Sequence, residues 1–137
     1  MTYPKKEKIL SKNPNIKSVT IVSTLIWKKN YLKKWKTISK KEKFKRLFIL
    51  IQWLNEVNKN NDLNIKYGNE YQYYYTTKTI YVDKNNPSII SSLHELAHHL
   101  FGDSELSACR WSVWLFKECF PGLYKNLKWD KHLLIKK

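Results

Sequence analysis

The chain has 137 residues, of which 42% are apolar and 15% aromatic, and its formal net charge is +15. This length predicts one domain over residues 1–137 that is large enough to bury a core. No apolar run approaches the roughly 20 residues that a membrane helix needs, and the N-terminal segment lacks the apolar stretch of a secretory signal. The sequence therefore predicts a cytoplasmic protein without a membrane span.

The positive charge would attract phosphate without any sequence code. All but two of the 26 basic residues are lysines, however, and they are scattered along the chain, whereas recognition of base edges favours arginine. Enrichment in Lys, Asn, Ile and Tyr is also typical of an AT-rich genome. We therefore expect a solvated basic surface, with weak nucleic-acid contact through it as the alternative.

The two cysteines, Cys109 and Cys119, fall in one predicted helix. Ten residues of helix separate them by about 15 Å along its axis, so they cannot form a disulfide with each other. This pattern indicates a reducing compartment. We interpret Cys109 as a small buried thiol rather than a soft metal ligand.

The first half of the chain predicts an arm, a strand and two helices. Residues 1–15 read as a loose basic arm, and the β-branched stretch 16–24 as a strand. A short amphipathic helix is expected within 25–37. Ser39 begins a capping-box pattern, which predicts a helix from about Lys40 to Asn58.

The second half predicts short strands followed by two helices. Residues 64–67 form a short strand, and 71–77 and 79–82 are β-rich runs that could pair. A helix then opens near Ser88 and runs to about Phe101.

Gly102 ends that helix, and Asp103 or Ser104 can cap the next one, which stops at Pro121. The tail from Leu123 is basic and could form a short helix. These elements together predict an α+β fold.

The sequence HELAH, from His94 to His98, lies inside the first of these two predicted helices. Residues four apart share one helix face, so both imidazoles can converge on one zinc ion at about 2.0 to 2.1 Å. Glu95 would flank the metal, where its carboxylate can take a proton from a zinc-activated water and pass it to the leaving amine. The pattern thus predicts zinc-dependent peptide hydrolysis, with Glu95 as general base.

Catalytic zinc usually has three protein ligands, so one more is needed. The metzincin pattern fails, because Phe101 and Ser104 stand where Gly and a ligand would be required. Glu105, at the start of the next helix, is the favoured third ligand. Asp103 and His132 are the alternatives.

The segment from Thr79 to Pro121, the expected metal-site core, resembles the ImmA/IrrE-like zinc metallopeptidases of phages, mobile elements and their hosts. Its strand, short loop, HELxH helix and second helix beginning Glu105-Leu106-Ser107-Ala108 follow the order of that family. The resemblance implies a zincin-like fold, zinc held by His94, His98 and Glu105, and a phage-type minimal member. It would act in the host cytoplasm or be carried in the virion.

The predicted partner is a protein or peptide substrate that adds its backbone to a β edge formed by residues 77–82. A tyrosine on the preceding β segments could donate a hydrogen bond to the reacting carbonyl, and the candidates are Tyr73, Tyr74, Tyr75 and Tyr81. His99 is expected at the surface or behind a ligand. The competing hypothesis is a non-catalytic, zincin-shaped, phage or virion-associated binding protein that contacts nucleic acid or an acidic partner through its basic surface.

Overall fold

The computed structural model describes residues 3–58 and 62–137, and the fold is α+β as predicted. The elements, in chain order, are α1 (Lys6–Leu10), α2 (Ser18–Tyr31), α3 (Lys40–Asn58), β1 (Asn64–Gly68), β2 (Gln72–Tyr74), β3 (Thr79–Asp83), α4 (Ile89–Phe101), α5 (Glu105–Cys119), α6 (Pro121–Lys125), β4 (Leu127–Asp130) and β5 (Leu133–Lys136). No helix within the described ranges is both long and apolar enough to cross a bilayer.

The main hydrophobic core lies between α3, α4, α5 and the sheet. It includes Leu47 and Leu54 of α3, Ile80 of β3, Leu93 of α4 and Leu115 of α5, all fully buried. The predicted capping box of α3 is present, since the Glu42 backbone N–H donates to the Ser39 hydroxyl at 3.1 Å. These helices follow the 3.6-residue apolar period that predicted them.

The prediction of a strand over residues 16–24 is wrong, because α2 covers most of that stretch and continues to Tyr31. The face of α2 that packs inward carries Thr20, Thr24 and Trp27, each fully buried. The Thr24 hydroxyl donates to the Thr20 carbonyl, and the Asn58 amide of α3 donates to the Thr20 hydroxyl at 2.9 Å. Tertiary packing of this small polar face therefore overrides the β propensity of the segment.

Residues 1–15 do not form a loose arm throughout. Residues 6–10 form α1, whose Ile9 is fully buried against Cys109 and Val113 of α5 in a second, smaller core. The Arg110 guanidinium also donates to the Lys8 carbonyl at 2.8 Å. The N-terminal segment is thereby held against α5.

The first three strands form one sheet in the order β1-β3-β2. β3 pairs in parallel with β1 and antiparallel with β2. Both edges of β3 are therefore paired with other strands. The prediction that a substrate backbone adds to an edge at residues 77–82 is wrong. The edge of this sheet on the α4 side is β2, which packs against α4.

The tail does not follow the expectation of one short helix. After the short α6, β4 and β5 form an antiparallel hairpin. Trp129 and Leu134 of this hairpin pack against the same second core as Ile9. The two ends of the chain consequently meet beside α5.

Candidate metal centre

Helix α4 presents the two histidines of the HELAH sequence on one face. Its N-terminus is capped by Ser88, whose side chain accepts from the Ser91 backbone N–H at 3.1 Å. The rest of the helix is almost wholly buried, and Ala97 between the ligands is fully covered. His94 and His98 lie one turn apart with ring centroids separated by 4.9 Å.

Gly102 lets the chain reverse between α4 and α5. Its φ of +102° is a backbone conformation that favours glycine. Ser104 then caps α5 by accepting from the Ser107 backbone N–H at 3.2 Å. This places Glu105 in the first turn of α5, where a carboxylate is also favoured by the helix dipole, and folds it back onto α4.

The structure brings His94, His98 and Glu105 together. The carboxylate atom Oε1 of Glu105 lies 3.2 Å from Nε2 of His94 and 2.6 Å from Nε2 of His98. All three donor atoms thus come from opposed helices and point at one small region.

Two of these donor atoms have a spacing that suits a metal ion. Tetrahedral ligands bound at about 2.0 to 2.1 Å lie about 3.3 Å from one another, close to the 3.2 Å separation of the His94 and Glu105 atoms, whereas the 2.6 Å between Glu105 and His98 is that of a direct hydrogen bond. Both histidines also turn the same atom, Nε2, towards the carboxylate. Two neutral imidazoles and one carboxylate are a common catalytic zinc set.

The ring of His98 is oriented by contacts to the nitrogen that faces away from Glu105. Its Nδ1 lies 2.9 Å from the Gly102 carbonyl and 2.9 Å from the Tyr75 hydroxyl. A proton on Nδ1 can be donated to these oxygens, and Nε2 is the ring nitrogen that faces Glu105. Such support behind a ligand fixes its tautomer and raises its basicity.

Glu105 and His98 shift each other's protonation. Hydrogen bonds from His94 and His98 hold the pKa of the Glu105 carboxyl well below its usual range. Burial lowers the pKa of His98, but the hydrogen bonds to Glu105 and Gly102 outweigh this and raise it. The charged forms of the two groups therefore favour each other.

Glu95 lies in the same cleft and is only 9% exposed. Burial raises the pKa of its carboxyl, while the nearby His94 and His98 lower it. A cation held by the histidines would lower that pKa further. A carboxyl with a raised pKa holds a transferred proton more readily, which suits a general base.

His94, Glu105 and Cys109 also form a group that could hold a metal ion, since their ligand atoms lie within 4.8 Å of one another. Cys109 is buried as predicted, and burial raises its pKa to about 12, so its thiol is protonated. Its Sγ lies 3.9 Å from Nδ1 of His94, the ring nitrogen opposite the one that faces Glu105. Cys109 thus meets His94 on the other side of the ring from Glu105.

The alternative third ligands take other positions. Asp103 is exposed and makes no recorded contact with His94 or His98 among the described residues, although it lines the cleft. His132, in the turn between β4 and β5, approaches the other carboxylate oxygen, with its Nε2 3.9 Å from Oε2 of Glu105. His99 is buried and contacts the Tyr73 hydroxyl at 2.6 Å through Nδ1, so it lies behind the site rather than at the surface.

The cleft around these groups has a volume of about 870 Å³. One wall comes from β2 and the residues after it, including Tyr73 and Tyr75. The other comes from the chain ends, with Tyr3, His132 and Leu133. This is enough room for a few residues of an extended peptide.

Comparisons with known proteins add no relative. The chain matches no family model, and no curated protein and no solved structure is significantly similar to it. The assignment of the site consequently rests on the residues and geometry described above.

Sequence reasoning did not single out Tyr3, and it could not choose Tyr75 from the other tyrosines. Tyr75 reaches His98 because the turn between β2 and β3 brings it over the end of α4. Tyr3 reaches His132 because α1 and the C-terminal hairpin share a core. Neither contact leaves a local pattern in the sequence.

Proposed function

We propose that this chain is a zincin-like zinc metallopeptidase in which His94, His98 and Glu105 hold zinc and Glu95 is the general base. The observation that carries the proposal is the convergence of both Nε2 atoms on Oε1 of Glu105, at 3.2 and 2.6 Å. The resemblance of residues 79–121 to ImmA/IrrE-like enzymes agrees with this choice of ligands.

Bound zinc would supply a Lewis acid that polarises the substrate carbonyl and makes water nucleophilic near neutral pH. Glu95 takes the proton that this water loses as its oxygen adds to the carbonyl carbon. It then delivers that proton to the amide nitrogen as the C–N bond breaks. The burial of Glu95 suits both transfers, because it keeps the affinity of the carboxylate for a proton high.

The substrate backbone would lie along β2. The side of β2 away from β3 carries no strand among the described residues, and Gln72 and Tyr73 line the cleft. An extended peptide could therefore add to β2 through main-chain hydrogen bonds. Such binding is independent of side-chain identity and would leave specificity to the opposite wall.

The test combines zinc content with hydrolysis of fluorescein-labelled casein. Wild type should hold one zinc per chain and cleave, and His98→Ala should lose both properties. Glu95→Gln should keep zinc but lose cleavage by at least about a hundredfold, as expected for a missing general base. Glu56→Gln, an exposed carboxylate on α3, is the matched control and should behave like wild type.

Zinc binding without cleavage of casein or of a peptide library by wild type would contradict the peptidase proposal. Salt-dependent affinity for DNA in that same protein would then favour the binding role of the basic surface.

A further inference from the structure

The four tyrosines considered from the sequence each have contacts with other side chains. The Tyr73 hydroxyl contacts Nδ1 of His99 and the Tyr75 hydroxyl contacts Nδ1 of His98. Tyr74 and Tyr81 pack on each other, with ring centroids 5.0 Å apart, and neither lines the cleft. Each of these side chains thus has another contact.

His132 is placed where such a donor is needed. It lines the cleft together with His94, Glu95 and His98. Its Nε2 lies 3.9 Å from Oε2 of Glu105, which is beyond hydrogen-bond reach. The His132 ring therefore lies beside the Glu105 carboxylate without a hydrogen bond to it.

The position of His132 relative to Glu105 distinguishes a substrate contact from a metal ligand. His94 and His98 both approach Oε1 of Glu105, whereas His132 approaches Oε2. His132 therefore faces the oxygen of Glu105 that neither His94 nor His98 approaches. A group bound in the cleft beside that oxygen can meet its ring.

Two features hold His132 in that place. Its ring stacks on Tyr3 with a centroid distance of 4.2 Å and an interplanar angle of 2°. The preceding Lys131 has a φ of +59°, in the left-handed region that non-glycine residues adopt rarely. A strained turn and an aromatic stack thus fix one imidazole at the cleft wall, although its buried Nδ1 has no hydrogen-bond partner within residues 3–58 and 62–137.

We propose that His132 is a catalytic residue whose Nε2–H donates a hydrogen bond to the scissile carbonyl oxygen as negative charge develops on it. This inference rests on the proposed peptidase function. A fixed donor at such a position acts mainly on the transition state, and removing one typically slows the reaction about 10²- to 10³-fold.

The test uses an N-phosphoryl dipeptide as probe, because its tetrahedral phosphorus carries anionic oxygens where the carbonyl oxygen would stand. His132→Phe keeps a ring to stack on Tyr3 but removes both nitrogens, and His132→Gln restores a donor. Glu56→Gln, an exposed carboxylate on α3 outside the cleft, is the control. Zinc per chain, probe Kd and thermal midpoint are measured for each zinc-loaded protein.

His132→Phe should keep full zinc content and bind the probe about 10- to 100-fold more weakly, with kcat on casein reduced and KM little changed. His132→Gln should recover part of both losses, and Glu56→Gln should match wild type. Loss of zinc in His132→Phe and His132→Gln would overturn the proposal by making His132 a ligand.

Wild-type affinity for the probe in a folded His132→Phe protein would also overturn the proposal while leaving the peptidase function intact. If zinc-loaded wild type neither binds the probe nor cleaves casein, the peptidase function fails, and the role of His132 fails with it.

Discussion

Replacing Glu105 with glutamine tests the third ligand directly. The change keeps the size of the side chain but removes one negative charge from a position that would lie about 2.1 Å from a bound zinc ion. At that distance, a divalent cation and a carboxylate interact by about 4 kcal/mol even at the dielectric constant of water, which corresponds to roughly a thousandfold in Kd. The Glu105 side chain is only 24% exposed, so the interaction energy calculated at the dielectric constant of water is a lower limit.

The assay is competition for zinc between the protein and a fluorescent chelator, with circular dichroism to verify folding. Asp103→Asn is the matched control, because it removes a carboxylate two residues away that does not contact the histidines. We expect Glu105→Gln to raise the zinc Kd at least a thousandfold and Asp103→Asn to change it less than threefold. The reverse order would refute the assignment of Glu105.

Two further outcomes follow from the groups around His98. Tyr75→Phe should weaken zinc binding about tenfold, near the lower end for a residue behind a ligand, because the Gly102 carbonyl still accepts from Nδ1 of His98. Tyr74→Phe, at an exposed position facing away from the site, should have no effect in the same chelator assay. Equal effects of the two changes would contradict the role of Tyr75. The His98 pKa is raised and the Glu105 pKa is lowered, so their contribution to the stability of the metal-free protein is fully present between about pH 4.3 and 6.5. This contribution should be lost as the pH rises through the raised pKa of His98 or falls below the usual range of a glutamate. Zinc affinity should instead increase over the upper range as protons leave the imidazoles. The urea midpoint is measured at pH 5.5 and 8 for wild type and Glu105→Gln, and an equal change in midpoint between the two pH values in both proteins would contradict this.

The local parts of the fold were predictable from sequence. The α4 and α5 helices carry clear apolar periods and end at Gly102 and near Pro121, and the spacing of His94 and His98 defines one face. The position of Glu105 near His94 and His98 was predictable because only three residues separate the two helices. These features depend on residues that are close in sequence.

The remaining parts depend on contacts between distant segments. Helix α2 buries Thr20 and Thr24 and exposes Val22, with 54% of its surface accessible, so its apolar residues do not mark its inner face. β3 reads as an edge from sequence alone, yet β1 and β2 both pair with it. The place of His132 is set by a hairpin that docks on α1, which no local pattern encodes.

The meeting of the chain ends at the cleft has a consequence for how the site assembles. The three ligand residues belong to one helical hairpin, with His94 and Glu105 only 11 residues apart, so their contacts are of low sequence separation and can form early in folding. The wall with Tyr3 and His132 forms only when the N-terminal segment packs against the C-terminal hairpin. It joins by a few buried side chains around Ile9, so amide hydrogens there should exchange at lower opening free energies than those of α4. Partial opening would then expose the bound metal without releasing it, and metal retention and substrate turnover would be separate properties of one small protein.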